Sequence, residues 1–165
     1  MIKTKRLKFV PLKNYDNFCK IYEDTSITEK WPEEEISCNK LDEKFKCKVK
    51  HWKDNGFGIF EIFLKSGDFV GIIGIEKEND YVKISGMSLS QYQGKFGVAV
   101  EAMYGLLKWV FDNNITDNVV AYMYENNALP QKFMVFFGGE LFNKTLYKGS
   151  PSVYYRITKK SFEEL

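Results

Sequence analysis

Gln91-Tyr92-Gln93-Gly94-Lys95-Phe96-Gly97-Val98-Ala99 is the stretch from which the reading of this chain proceeds. It joins a strand-like run, Tyr81 to Leu89, to an amphipathic helix pattern from Ala99 to Phe111. A glycine turn at a helix start leaves backbone N–H groups unpaired and aligned. The positive end of the helix dipole adds to them, and together they seat phosphate. One lysine and no acid lie inside the turn, which suits an anion. Taken alone, such a loop is more often a plain strand-to-helix connection with two glycines. Its neighbours change the weighting.

The surroundings follow a regular order. Leu7 and Phe9 alternate with Arg6 and Lys8, which predicts a strand over 4–10. Residues 13–23 predict a helix with Phe18, Ile21 and Tyr22 on one face. Pro32 before Glu33, Glu34 and Glu35 is a helix start, with proline in the first turn and acids at the positive dipole end. That helix carries Cys38, Leu41, Phe45, Val49 and Trp52 at three- and four-residue spacing and stops at Asn55-Gly56. Phe57–Leu64 and Phe69–Ile75, separated by Ser66-Gly67-Asp68, predict a hairpin whose apolar strands are covered on both faces. Tyr81–Leu89 is a third strand, reached through the polar turn Glu76–Asp80. After the glycine turn comes a helix over 98–112, buried along Ala99, Met103, Leu106, Leu107 and Val110. A strand over Asn118–Glu125, a short helix over 128–137 and strands over 140–147 and 152–158 complete an α/β pattern: a mixed sheet with helices on both faces.

Composition narrows the function classes. At 165 residues the chain is expected to form a single domain, 1–165. A net charge of +2, with lysines spread along the chain, points away from dedicated nucleic-acid binding. No apolar run marks a signal peptide or a membrane span, so no membrane partner is expected. Cys19, Cys38 and Cys47 are odd in number and form no CxxC pair, which reads as reduced thiols in a cytoplasmic protein. With His51 the single histidine, a zinc site or histidine-based triad is nearly excluded, and no metal is expected. His51, on a helix of mostly lysines, reads as a solvated surface residue.

In this order the residues resemble the GNAT N-acetyltransferases, and more narrowly the Rim-type branch that acetylates ribosomal-protein N-termini. Thr4-Lys5-Arg6-Leu7 is similar to that branch's first strand. Gly56–Phe60 and Gly67–Ile75 are similar to its second and third. Gly86-Met87-Ser88-Leu89-Ser90 into Gln93-Gly94-Lys95, then Glu101-Ala102, resembles its fourth strand and coenzyme A loop. Ala121 to Glu125-Asn126-Asn127-Ala128 resembles its fifth strand and following helix, and Tyr155-Arg156-Ile157-Thr158 its last strand. The likeness spans essentially the whole chain. It implies the acyl-CoA N-acyltransferase fold, a mostly antiparallel twisted sheet splayed between strands four and five.

The departures are specific. The family loop reads Gln/Arg-x-x-Gly-x-Gly/Ala, and Gln91-x-x-Gly94 puts Phe96 in the last position. With one residue inserted after Gln93, Gly97-x-Ala99 fits instead and keeps the spacing to Glu101-Ala102. This is the preferred register. Pro130 stands where the family often has serine, and Gly138-Gly139 where a Gly-Phe pair is usual. The helix tyrosine that many members use as acid toward the thiolate falls near Met134, and a thioether gives no proton.

The resemblance implies transfer of acetyl from acetyl-CoA to a primary amine by direct attack in a ternary complex. The cofactor-binding candidates are Met87, Ser88 and Leu89 for the strand N–H and the pantetheine arm, Gln93, Gly94, Lys95, Phe96, Gly97, Val98 and Ala99 for the pyrophosphate, and Asn127 at the lip of the fifth strand. Glu61 is the one charged residue in the apolar run 57–64 and the candidate general base. A carboxylate at a pleat position that reaches solvent or a lysine is the more common outcome for such a residue. Tyr124 is the candidate acid in place of the missing tyrosine, although a tyrosine there more often packs its ring. Trp31 lies where the family builds a substrate wall and reads equally as a hydrophobic anchor. Glu76, Glu78 and Asp80 read as a solvated acidic turn, and Asn126 as turn chemistry. The first acceptor expected is a protein N-terminal amine, the second a small amine such as a polyamine or antibiotic. The rival is a non-catalytic acyl-CoA-binding protein on the same fold. Monomer and dimer both remain open.

Overall fold

The computed structural model describes residues 2–29, 38–94 and 97–165. Among these residues seven strands form one sheet in the order β1-β2-β3-β4-β5-β7-β6, with antiparallel and parallel pairs. The chain gathers into two compact units, one of residues 1–76 and 85–106, the other of 77–84 and 107–165.

The first unit is built on β1 (Leu7–Pro11), β2 (Ile59–Leu64) and β3 (Phe69–Glu78). β1 pairs antiparallel with β2 from Leu7↔Leu64 to Pro11↔Phe60. β2 pairs with β3 from Ile59↔Gly74 to Ile62↔Gly71, then slips one residue before Phe63↔Phe69. Both strands are buried nearly throughout, as their continuous apolar runs require. A Cβ at Gly71 would stand 2.2 Å from the Met87 carbonyl oxygen, so only glycine lets β3 lie this close to the next strand. α1 (Tyr15–Glu23) buries Phe18, Ile21 and Tyr22 against Leu12, Leu41, Ile59 and Ile72. A short α2 (Thr25–Thr28) follows. α3 (Cys38–Asn55) ends where Gly56, at φ 74°, donates its N–H to the Trp52 carbonyl.

The second unit holds the start of β4 (Tyr81–Ser88), the end of α4 (Val98–Asp112), β5 (Asn118–Tyr124), α5 (Ala128–Phe136), β6 (Glu140–Tyr147), β7 (Ser150–Thr158) and α6 (Lys159–Glu163). Among the described residues β4 and β5 pair in parallel at Lys83↔Val120 alone. β4 then passes into the first unit at Ser85. β5 is held along its length by β7, from Asn118↔Thr158 to Tyr124↔Ser152. β6 and β7 form a hairpin closed by Lys148 and Gly149, at φ 49° and 78°, the primed geometry of two-residue turns.

The expected elements are present, with α4 over the residues expected for it. The expected start of α3 at Pro32 lies outside the described residues. Two readings are corrected, and two short helices were not expected. The stretch from Glu76 to Asp80 is no solvated acidic turn: β3 runs on to Glu78, Glu76 pairs with Lys48 at 2.7 Å, and Glu78 pairs with Lys83. The turn itself is Asn79-Asp80, with Asn79 at φ 53°. His51 is half-buried, its Nδ1 2.9 Å from the Phe57 carbonyl oxygen. α2 and α6 carry too few turns to leave a periodic signal, although Thr158 and Ser161 form a reciprocal cap on α6.

Candidate active site

The glycine turn is built by backbone conformation. Gly94 and Gly97 have φ of 67° and 63°, a region costly to residues with a Cβ. Space in front of both is open: a Cβ would meet nothing within 4 Å at Gly94, and at Gly97 only Arg6 Nη2 at 3.8 Å. The Gly97 carbonyl accepts the Glu101 N–H at 2.9 Å, which makes Gly97 the residue from which α4 begins. The amides of Val98, Ala99 and Val100 precede that first bond and have no acceptor within the helix. Val98 is buried, Ala99 half-buried, and Gln93 exposed. Lys95 and Phe96 lie outside the described residues, as does Trp31.

An acid in the first turn of α4 would oppose an anion, and Glu101 is one. Its charge is matched: the Arg6 N–H donates to Oε1 at 2.6 Å and Nε to Oε2 at 2.6 Å. Burial pushes the Glu101 carboxyl up, but hydrogen bonds from the Arg6 backbone, its guanidinium and Thr4, with the Arg6 charge, bring it below the ordinary value. Arg6 thus stands beside the turn as a cation, a role sequence reading missed. The signal was present in an arginine before β1 and an acid three residues into α4.

At the end of β4, the Leu89 N–H donates to the Val70 carbonyl at 2.8 Å. Backbone groups of adjacent strand residues point to opposite edges. Ser88 therefore turns its N–H to the edge away from β3, and its carbonyl there accepts Gln93 Nε2 at 3.2 Å. Of the expected stretch Met87–Leu89, the Met87 and Leu89 side chains pack on the α1 core. Next to it the Ser90 N–H donates to Asp24 Oδ2 at 2.8 Å. That bond is the main cause lowering the Asp24 carboxyl. Lys20, Glu23, Asp24 and Gln91 line an open cavity of about 310 Å³ there.

In the second unit, Tyr124 ends β5 and its carbonyl accepts the Asn127 N–H at 3.0 Å. Asn127 precedes α5 without spending its side chain as a cap. Gln131 Nε2 donates to the carbonyls of Glu125 (2.8 Å) and Asn127 (3.2 Å), which fixes this lip. The Tyr124 ring lies 6.5 Å from that of Tyr147. Met134, at the position the resemblance gives to the family tyrosine, is buried in α5.

Glu61 is 1 % exposed, and its carboxylate serves the start of α1. Oε1 accepts the N–H groups of Lys13 and Asn14, both at 2.9 Å, and Oε2 accepts Asn17 Nδ2 at 2.8 Å. The Lys13 and Asn14 amides lie ahead of the helix ladder, and Asn17 of α1 is held through its side chain. Among the described residues no group of His, Cys, Asp and Glu side chains could hold a metal ion.

The acetyltransferase (GNAT) domain family matches residues 6–139. No curated protein sequence matches the chain. Solved structures share its fold. An acetyltransferase from Agrobacterium tumefaciens has a TM-score of 0.79 at 21% identity, covering 95% of this chain and 93% of that one. A spermidine N-acetyltransferase chimera from Vibrio cholerae and hSSAT has a TM-score of 0.78 at 14% identity, covering 98% and 100%. A ribosomal-protein α-N acetyltransferase, RimL, in complex with coenzyme A has a TM-score of 0.76 at 12% identity, covering 96% and 97%. With the family matched over most of its length, the chain belongs to the GNAT family of acetyl-CoA-dependent N-acetyltransferases.

Proposed function

We propose that residues 1–165 act as one cytoplasmic domain that moves acetyl from acetyl-CoA to a primary amine, first of all a protein N-terminal amine. The observation that carries this reading is the start of α4. Gly94 and Gly97 are left-handed, space is open where their Cβ atoms would stand, the first amides of α4 have no acceptor within the helix, and Arg6 lies beside Gly97 paired with Glu101. Gln93, Gly94, Gly97, Val98 and Ala99, with Lys95 and Phe96, would hold the pyrophosphate. Asn127 and the β4 edge at Met87–Leu89 would hold the pantetheine arm.

When bound, acetyl-CoA supplies an activated acyl carbon. The Ser88 N–H is the donor suited to its carbonyl oxygen. As the acceptor nitrogen attacks, a C–N bond forms and the C–S bond breaks. The ammonium gives up two protons: one passes to water, and the other balances the departing thiolate, with the Tyr124 hydroxyl as the relay. Glu61 was the first candidate for the base. Its oxygens are committed to α1, so we assign it to capping and leave deprotonation to water. Trp31 is retained as a candidate acceptor wall.

The test sets acetyl-CoA binding beside turnover on a panel of peptides with free N-termini, polyamines and aminoglycosides. Turnover on peptides ahead of the small amines supports the first reading. Binding without turnover on any amine favours the non-catalytic rival, whose support here is Met134 at the tyrosine position.

A further inference from the structure

Arg6 is fixed by its backbone and by one edge of its guanidinium. Its N–H donates to Glu101 Oε1 at 2.6 Å, its carbonyl accepts the Lys65 N–H at 2.9 Å, and its Nε donates to Glu101 Oε2 at 2.6 Å. The Leu7 N–H next to it donates to Thr4 Oγ1 at 3.1 Å. All of these residues lie in the first unit, as does the glycine turn.

The bond through Nε leaves the far nitrogens of the guanidinium. Nη1 and Nη2 carry four N–H groups, and none of these has an acceptor among the described residues. They form the accessible end of the pair: the Arg6 side chain is 39 % exposed, that of Glu101 17 %. Nη2 also stands at the turn, 3.8 Å from the place a Cβ would take at Gly97. No Glu101 atom lies within 4 Å of that place.

This arrangement decides what an anion at the turn would meet. Glu101 is a negative charge in the first turn of α4, where it opposes an anion. Its oxygens are turned to the Arg6 N–H and Nε, while Nη2 is the atom at Gly97, so the cation of the pair comes first. The planar N–H fork of a guanidinium matches phosphate oxygens, and its charge strengthens each bond. With the backbone and Nε already fixed, little freedom is lost when an anion binds.

We propose that Arg6 is a ligand of a phosphate group of coenzyme A, bound through Nη1 and Nη2, and that Glu101 is the positioning residue that aims it. This inference rests on the acetyl-transfer reading, which supplies coenzyme A as the ligand. The phosphate belongs either to the pyrophosphate or to the 3′-position of the ribose.

Calorimetric titration with coenzyme A, which needs no turnover, sets Arg6→Gln beside Glu101→Gln. Both variants break the ion pair, but only the first removes the phosphate ligand. Arg6→Gln should weaken binding about 10-fold or more, the range of a charge-assisted hydrogen bond. Glu101→Gln should bind as tightly as wild type or more tightly, because the opposing charge is gone. The same titration with 3′-dephospho-coenzyme A names the source: a loss in Arg6→Gln that persists assigns the pyrophosphate, and one that disappears assigns the 3′-phosphate. Thermal melts report whether each variant is folded. Should Arg6→Gln not fold, Arg6→Lys replaces it, keeps the charge without the fork, and should still bind more weakly than wild type. Equal weakening in the Arg6 and Glu101 variants makes the pair a structural anchor and overturns the proposal, as does unchanged affinity in a folded Arg6 variant. Either result leaves acetyl transfer standing. A wild-type protein that binds no coenzyme A rejects the acetyl-transfer reading and the proposal together.

Discussion

At the scale of single residues, Glu61 shows how one carboxylate answers two questions differently. Its sequence setting, an acid among Phe57, Ile59, Ile62 and Phe63, marks it as unusual. What makes it useful is visible only in three dimensions, where backbone amides at 13 and 14 converge on one oxygen. Glu61→Gln must turn an amide NH₂ toward other donors, so it should lower stability by about 1–3 kcal/mol in urea denaturation. Turnover per folded molecule should survive. A fall of about 100-fold in kcat with the protein fully folded would return the base role to Glu61. Tyr124→Phe should lower kcat by less than that, with acetyl-CoA affinity kept, and an unchanged pH–rate profile would remove its hydroxyl from the proton path. For Gly97→Val we expect weaker acetyl-CoA binding with the fold intact. The cause is the left-handed backbone, which costs a residue with a Cβ about 1–2 kcal/mol and reshapes the turn. Unchanged affinity in a titration would take this loop out of the site.

At the scale of elements, α4 was legible because its stripe runs for four turns and a glycine precedes it. The hairpin of β2 and β3 was legible for the same kind of reason: two apolar runs around Ser66-Gly67-Asp68. The ion pair between Arg6, just before β1, and Glu101 of α4 was not. Arg6 and Glu101 are far apart in sequence, and each looks like ordinary surface charge until the fold brings them together. The ring contacts of Tyr122 with Tyr147 and Tyr154 were equally hidden, since these residues come from three strands whose order no local pattern reveals. The Arg6 pair has a pH signature. The Glu101 carboxyl is lowered on folding, so its contribution is full above the unfolded value of 4.5 and fades as pH falls through the folded one. Asp24, lowered chiefly by the Ser90 N–H, acts with the same sign. Melting temperature should therefore drop from about pH 6 to about pH 3, and Glu101→Gln should flatten part of that slope. An unaltered slope in the variant would mean that other carboxylates govern acid stability.

At the scale of the whole molecule, the family match ends at residue 139, yet the sheet does not. β7 lies between β5 and β6 and takes up every residue of β5 from Asn118 to Tyr124. A chain cut after Gly139 should lose cooperative unfolding in thermal circular dichroism, and a sharp melt would show that β5 needs no partner on that side. The same strand order bears on how the protein is made. A ribosome releases residues in sequence, β6 before β7, but among the described residues β6 pairs with β7 alone. Until Thr158 has left the exit tunnel, Asn118-Val119-Val120-Ala121-Tyr122-Met123-Tyr124 is an uncharged, strand-prone segment with an open edge. The second unit therefore matures after most of its chain has been synthesised, and through that interval its nascent β5 is a natural client for chaperones.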